Sequence, residues 1–129
     1  MKNNQGFSLV ELIVATTIMV VMSVVAMVSY TGTNRRARDS RRAADLQKIS
    51  MSLEMIRQVG NTYPATLNSL VTGGYMESIP QDPKSFTYYY TRNGNYKYYL
   101  YSQMEDLGST NGSFGSNCGG TCNYRVTSP

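Results

Sequence analysis

The chain has 129 residues, with 12 Lys or Arg against 8 Asp or Glu, two Cys, and no His or Trp. That length holds one ordinary domain rather than two, and the missing His excludes Ser-His-Asp and Cys-His catalysis and every zinc site that needs an imidazole. A charged fraction of only 16% beside a mean hydropathy of -0.33 requires the apolar residues to be unevenly placed.

Residues 7–30 form an apolar run whose single charge is Glu11, preceded by the leader MKNNQG, which carries Lys2 and no acid. A span needs roughly 20 apolar residues. The run is longer than the apolar core of a cleaved secretory signal, and no small-x-small cleavage site follows it. Val and Met dominate residues 18–28. In water their β-branching would favour a strand. In lipid a lone segment must satisfy its own backbone, which predicts a helix. Glu11 is the anomaly, because a carboxylate costs about 2.5–3.5 kcal/mol at the centre of a span and less near its end. It can reach the headgroups and complement the positive end of the helix dipole, or it can await a cation inside an assembly.

The residues Gly6-Phe7-Ser8-Leu9-Val10-Glu11-Leu12 resemble the processing site of type IV pilins and of the related pseudopilins of type II secretion. The shared features are a short basic leader, Gly then Phe, a Glu five residues into the mature chain, and a long apolar run. The resemblance implies that a prepilin peptidase cuts between Gly6 and Phe7 and methylates the new amine of Phe7. It implies that Glu11 faces the N-terminal amine of a neighbouring subunit. A buried carboxylate and a buried ammonium are each costly alone, and a close pair offsets much of that cost. Such a pair also sets the axial register of a filament. Pilin anchors often carry a helix-breaking Gly or Pro, where this chain has Val20 and Val28, so local melting of the helix is less strongly encoded.

Arg35, Arg36, Arg38, Arg41 and Arg42 fall within eight residues with only Asp39 among them. Such a cluster can contact a polyanion, anionic headgroups or carboxylates such as Asp39 and Asp45 on adjacent subunits, or it can be a solvated helix face. No Pro or Gly interrupts residues 35–59, and Leu46, Ile49, Leu53 and Ile56 step by three, four and three along one helical face. Gly60 is a natural stop. One helix over residues 7–59 would be about 80 Å long, far more than the roughly 30 Å hydrocarbon core. Its second half must therefore pack on something outside the bilayer.

Residues 65–71 read as a short helix or turn, and Pro80 and Pro83 impose an extended or looped stretch over 78–84. Aromatic runs at 86–90 and 96–101 flank Asn93-Gly94, a strong hairpin signal. Alternation places Tyr96, Tyr98 and Leu100 on one face, to cover the helix stripe, and Lys97, Tyr99 and Tyr101 on the other. Seven of the eleven Tyr lie in residues 88–101, as a stacking or adhesive surface or simply as good strand formers. The pattern Tyr63-Pro64, Leu67, Leu70, Gly74-Tyr75, Ile79-Pro80, Asp82-Pro83 and a Tyr-rich hairpin resembles the major pseudopilin domain of type II secretion.

Residues 108–129 are rich in Gly, Ser, Thr and Asn, contain no acid, and read as loop. The major pseudopilin often holds calcium in an Asp-built loop there. A hard cation wants six to eight oxygens, several of them charged, so calcium is disfavoured and no cofactor is expected. Cys118 and Cys122 are better suited to a structural disulfide than to metal binding or redox cycling, since no other ligands are near and the spacing is not C-x-x-C. A disulfide places the domain in an oxidising, extracytoplasmic compartment. Counting the Arg residues after the span would instead place it in the cytoplasm, and the processing motif and the Cys pair outweigh that count.

The expected fold is α+β: a long N-terminal helix, half transmembrane and half amphipathic, packed on a small antiparallel sheet. The parts are a leader (1–6), a transmembrane and filament-core helix (7–30), its amphipathic continuation (31–60) and a small β domain ending in a loop (61–129). The expected function is structural rather than enzymatic: a subunit of a type IV pilus-like filament. The major pseudopilin of type II secretion and a DNA-uptake pilus subunit that binds nucleic acid are the alternatives. The implied partners are further copies of the chain, prepilin peptidase, the inner-membrane assembly machinery and, before assembly, the membrane. The subunit would wait in the cytoplasmic membrane, domain outward, and then join a cell-surface filament.

Overall fold

A computed structural model describes residues 6–129. The elements are helix α1 (Leu9–Gly60), the short helix α2 (Asn68–Thr72), strands β1 (Tyr89–Asn93) and β2 (Lys97–Ser102), a 3-10 turn (Leu107–Ser109) and strand β3 (Tyr124–Thr127). The expected leader lies outside the described residues except for Gly6. The chain divides into two compact units, Met1–Asn34 and Arg35–Pro129.

In the first unit the apolar run is helical, as its need for internal backbone pairing requires. Every described side chain over residues 7–30 is exposed. Three hydroxyls in the run bond back to the preceding turn: Thr16 donates to the Ile13 carbonyl, Thr17 to Val14 and Ser23 to Met19. None of these hydroxyls therefore needs water, which suits a segment long and apolar enough to cross a membrane.

In the second unit the predicted stripe is the core. Leu46, Ile49 and Leu53 are fully buried and pack with Tyr63, Leu70, Tyr88, Tyr98 and Leu100. The sheet is antiparallel in the order β1-β2-β3. Tyr98 and Leu100 point inward, and the Tyr98 hydroxyl meets Ser50 Oγ at 2.7 Å. Burial of Tyr98 pushes its hydroxyl up to about 12, so it stays protonated.

Local chemistry shifts several expected boundaries. Helix α1 takes in Gly60, and Asn61 adopts the left-handed conformation (φ 54) and donates its N–H to the Arg57 carbonyl at 2.7 Å. Asn tolerates that conformation through its short polar side chain. Strand β1 begins at Tyr89 rather than Phe86, where its pairing with Tyr101 starts, and closes at Asn93 with Lys97, leaving a three-residue turn over 94–96. Gly94 supplies the positive φ of 68°. Tyr96 thus sits in the turn, 57% exposed, and not on the inner face. The tail is not all loop: β3 pairs Val126 with Leu100 and Tyr124 with Ser102.

Candidate functional site

Gly6, Phe7 and Ser8 precede the first helical residue. Phe7 is 89% exposed, and nothing lies within 4 Å of where a Cβ on Gly6 would be. The Gly6–Phe7 bond is therefore open backbone, the form a peptidase requires. Two residues on, Ser8 caps the helix. Its Oγ accepts from the Val10 N–H at 3.3 Å, and Glu11 Oε2 accepts from the Ser8 N–H at 3.1 Å. This is a reciprocal cap: the Ser serves the first turn while the Glu three residues later serves the Ser. It gives Glu11 a partner within its own chain. The Ser-x-x-Glu spacing of Ser8 and Glu11 was the signal for it, overlooked in favour of the charge alone.

The Arg run is the second cluster, and the structure separates its members. Arg42 and Asp39 lie on the buried face of α1, one and two turns before Leu46. That face is apolar in its C-terminal half and ionic in its N-terminal half. Arg42 is fully buried among three carboxylates. It donates to Asp39 Oδ1 at 2.7 Å, to Glu105 Oε1 at 3.0 Å and, through Nε and Nη2, to both oxygens of Asp82. Its guanidinium also lies 5.3 Å from the centre of the Phe86 ring. Arg38 forks onto Glu105 with two bonds of 2.7 Å, and Lys84 approaches the same carboxylate at 3.0 Å. Asp39 in turn accepts the backbone N–H groups of Glu105 and Asp106.

These contacts fix the protonation states. The Arg38 bonds, with those of Lys84 and Arg42, hold Glu105 well below the usual carboxylate range despite its partial burial. Burial pushes Asp82 up, but the bonds from Arg42 and from the Lys84 and Phe86 N–H groups outweigh it and leave Asp82 lowered. Burial likewise pulls Arg42 down, and its three carboxylate partners more than reverse that. The cluster is thus a set of charged hydrogen bonds tying α1 to the 82–86 segment and to the 105–106 segment.

Arg42 is accordingly not a polyanion or subunit contact, because no part of it reaches solvent, and Arg38 is committed to Glu105. Asp39 and Asp45 are likewise internal: Asp45 accepts from the Tyr88 hydroxyl at 3.0 Å. Arg36 is exposed and pairs with Asp106 at 3.1 Å. Arg35 and Arg41 are exposed and have no carboxylate partner among the described residues. The acids that gather, Asp39, Asp82 and Glu105, already hold Arg, Lys and backbone N–H groups, and the segment after Asp106 supplies no carboxylate.

Cys118 and Cys122 are bonded and buried, with Cα atoms 5.4 Å apart. Gly119 takes the left-handed turn inside the small loop (φ 81). The Cys118 carbonyl accepts the Thr87 N–H at 3.0 Å, and the Cys122 carbonyl accepts the Phe114 N–H at 2.8 Å. The disulfide therefore anchors the tail just before β3. Reduction is expected to lower stability by about 2 kcal/mol in the chain-entropy model, read as an earlier urea midpoint with dithiothreitol than without.

The N-terminal geometry agrees with what the sequence is similar to. Residues 1–28 match the family model described as the prokaryotic N-terminal methylation motif. The chain is 26% identical over 110 residues to the type II secretion system core protein G of Vibrio cholerae, covering 74% of this chain and 75% of that protein. The core protein G of Aeromonas hydrophila is 26% identical over 98 residues, 64% of this chain and 68% of that one. That of Klebsiella pneumoniae is 27% identical over 99 residues, 64% and 71%. No solved structure matches the chain.

Proposed function

We propose that this chain, a member of the type IV pilin and pseudopilin family, is a structural subunit processed by prepilin peptidase after Gly6 and assembled into a filament through its N-terminal helix. The observation that carries the reading is the methylation motif over residues 1–28, set on an exposed Gly6–Phe7 bond and followed by an apolar helix. In this reading α1 anchors each copy in the cytoplasmic membrane until the assembly machinery extracts it. Glu11 then exchanges the Ser8 N–H for the methylated Phe7 amine of a neighbouring copy. The bonded Cys pair supports an extracytoplasmic domain. External protease added to spheroplasts should then digest the domain, and full protection would count against that side.

The likeness to core protein G in three species favours a major pseudopilin of a type II secretion system over a pilus subunit. Deleting the gene should then stop secretion of exported proteins rather than remove surface pili. Processing is tested by intact mass and N-terminal sequencing of sheared filaments. The expected chain starts at Phe7 and carries one N-terminal methyl group. Filaments whose subunits retain Met1 would overturn the reading.

A further inference from the structure

Strand alternation that sends Tyr98 and Leu100 inward leaves Tyr89, Tyr99 and Tyr101 on the opposite face of the sheet, with Lys97 and Arg125. The rings form a connected row. Tyr89 faces Tyr101 across the strand pair at 5.8 Å between centroids, Tyr99 follows Tyr101 along β2 at 6.2 Å, and Phe114 closes on Tyr101 at 5.6 Å. All four rings are only half-buried. Strand propensity accounts for tyrosines inside strands. It does not account for Phe114, which comes from outside the sheet, or for Arg125, whose guanidinium lies 4.3 Å from the Phe114 centroid and 5.3 Å from that of Tyr99.

The charge on this face is one-sided. None of the three strands contains an acid. Neither Lys97 nor Arg125 has a carboxylate partner among the described residues, whereas Arg38 and Arg42 on the helix are neutralised by their own chain. A ligand that offers flat π surfaces and negative charge together matches both features of this face. A neutral sugar polymer lacks the charge, an anionic polysaccharide offers only C–H faces to the rings, and duplex DNA hides its base faces within the stack. The ring spacings are also wider than the roughly 3.4 Å between stacked bases of a duplex strand, which suits bases already pulled apart.

We propose that the outward face of the sheet binds single-stranded nucleic acid, with bases stacking on Tyr89, Tyr99 and Tyr101 and phosphates meeting Lys97 and Arg125. Aromatic side chains on an antiparallel sheet stack unpaired bases in this manner, and flanking cations follow the backbone. The site is independent of the filament reading, and it lies apart from the helical arginines that the sequence first offered for a polyanion.

The test is fluorescence anisotropy of a labelled oligothymidylate titrated with the full chain in detergent micelles. Tyr99→Leu with Tyr101→Leu is expected to weaken binding about tenfold or more. Lys97→Gln with Arg125→Gln is expected to flatten the slope of log K against log salt by about 1.4, at about 0.7 per lost phosphate contact. Arg35→Gln with Arg41→Gln leaves both readings unchanged. Quenching of tyrosine fluorescence in the unmodified chain on adding oligothymidylate reports stacking without any substitution. Equal affinity for a duplex of matched charge or for polygalacturonate, absence of quenching, or loss of binding through the helical arginines alone would overturn the proposal.

Discussion

Replacing Glu11 by Val is expected to leave cleavage and membrane insertion intact and to abolish filament assembly. Cleavage should be spared because Gly6 and Phe7 lie ahead of the helix, and the carboxylate bonds the N–H of Ser8, beyond the scissile bond. Insertion is spared or improved, because removing a charge from an apolar run lowers the cost of entering lipid. On the proposed assembly, the Phe7 amine of the neighbouring copy would lose the only carboxylate that the run provides, and assembly should fail. The structure adds a control, since Glu11 also caps its own helix through the Ser8 N–H. A Gln at this position keeps an oxygen that can accept that bond but carries no charge. Glu11→Gln therefore separates the two roles. If capping were the whole role, Gln would assemble normally. If the charge sets the register, Gln fails as Val does while processed subunit builds up in the membrane. Blotting sheared filaments and membranes for the processed chain gives both quantities from one culture. Wild-type filament yield from Glu11→Gln would end the case for an interchain pair.

Much of this was legible because it rests on local rules. An apolar run long enough to span lipid must be helical, and a stripe stepping by three and four must pack. Leu46, Ile49 and Leu53 do so against Tyr98 and Leu100, whose inward direction followed from strand alternation alone. Strand β3 was missed because four residues in a polar tail carry too little pattern. Tyr124 and Val126 do alternate inward, but only pairing with a finished β2 makes that a strand. The ionic cluster was half legible. Arg42 lies four residues before Leu46, on the same helical face, a spacing that places it inward and that the charge run obscured. Its partners Asp82 and Glu105 come from 40 and 63 residues along the chain, and no local rule brings them there. Arg35 and Arg41, on the exposed faces of the same helix, are what the charge run looked like throughout.

Replacing Arg42 by Met is expected to destabilise the domain by about 3–5 kcal/mol at neutral pH, the cost of breaking a buried ion pair from one side. Met roughly follows the Arg stem, so little of the loss comes from packing. Most of it comes from Asp39 and Asp82, left buried with their main cation removed. The same charges set a pH dependence. Asp82 and Glu105 are lowered in the folded chain against about 4 when unfolded. Their contribution is therefore complete above the unfolded value and is lost as the pH falls through and below about 4. In the Arg42→Met chain the sign reverses for the stranded acids, because protonation removes the buried charge rather than a favourable bond. Wild type and variant should thus converge in stability as the solution is acidified from about pH 7 to about pH 3. Urea unfolding of the full chain in detergent, followed by near-ultraviolet dichroism of the tyrosines, measures the gap at each pH. A gap that stays constant would assign the loss to packing instead of charge. Hydrogen exchange supplies a local reading of the same event. Asp39 accepts the Glu105 and Asp106 N–H groups and is itself held by Arg42, so those two amides should lose protection in the variant well before the Leu46–Leu53 turns of α1 do.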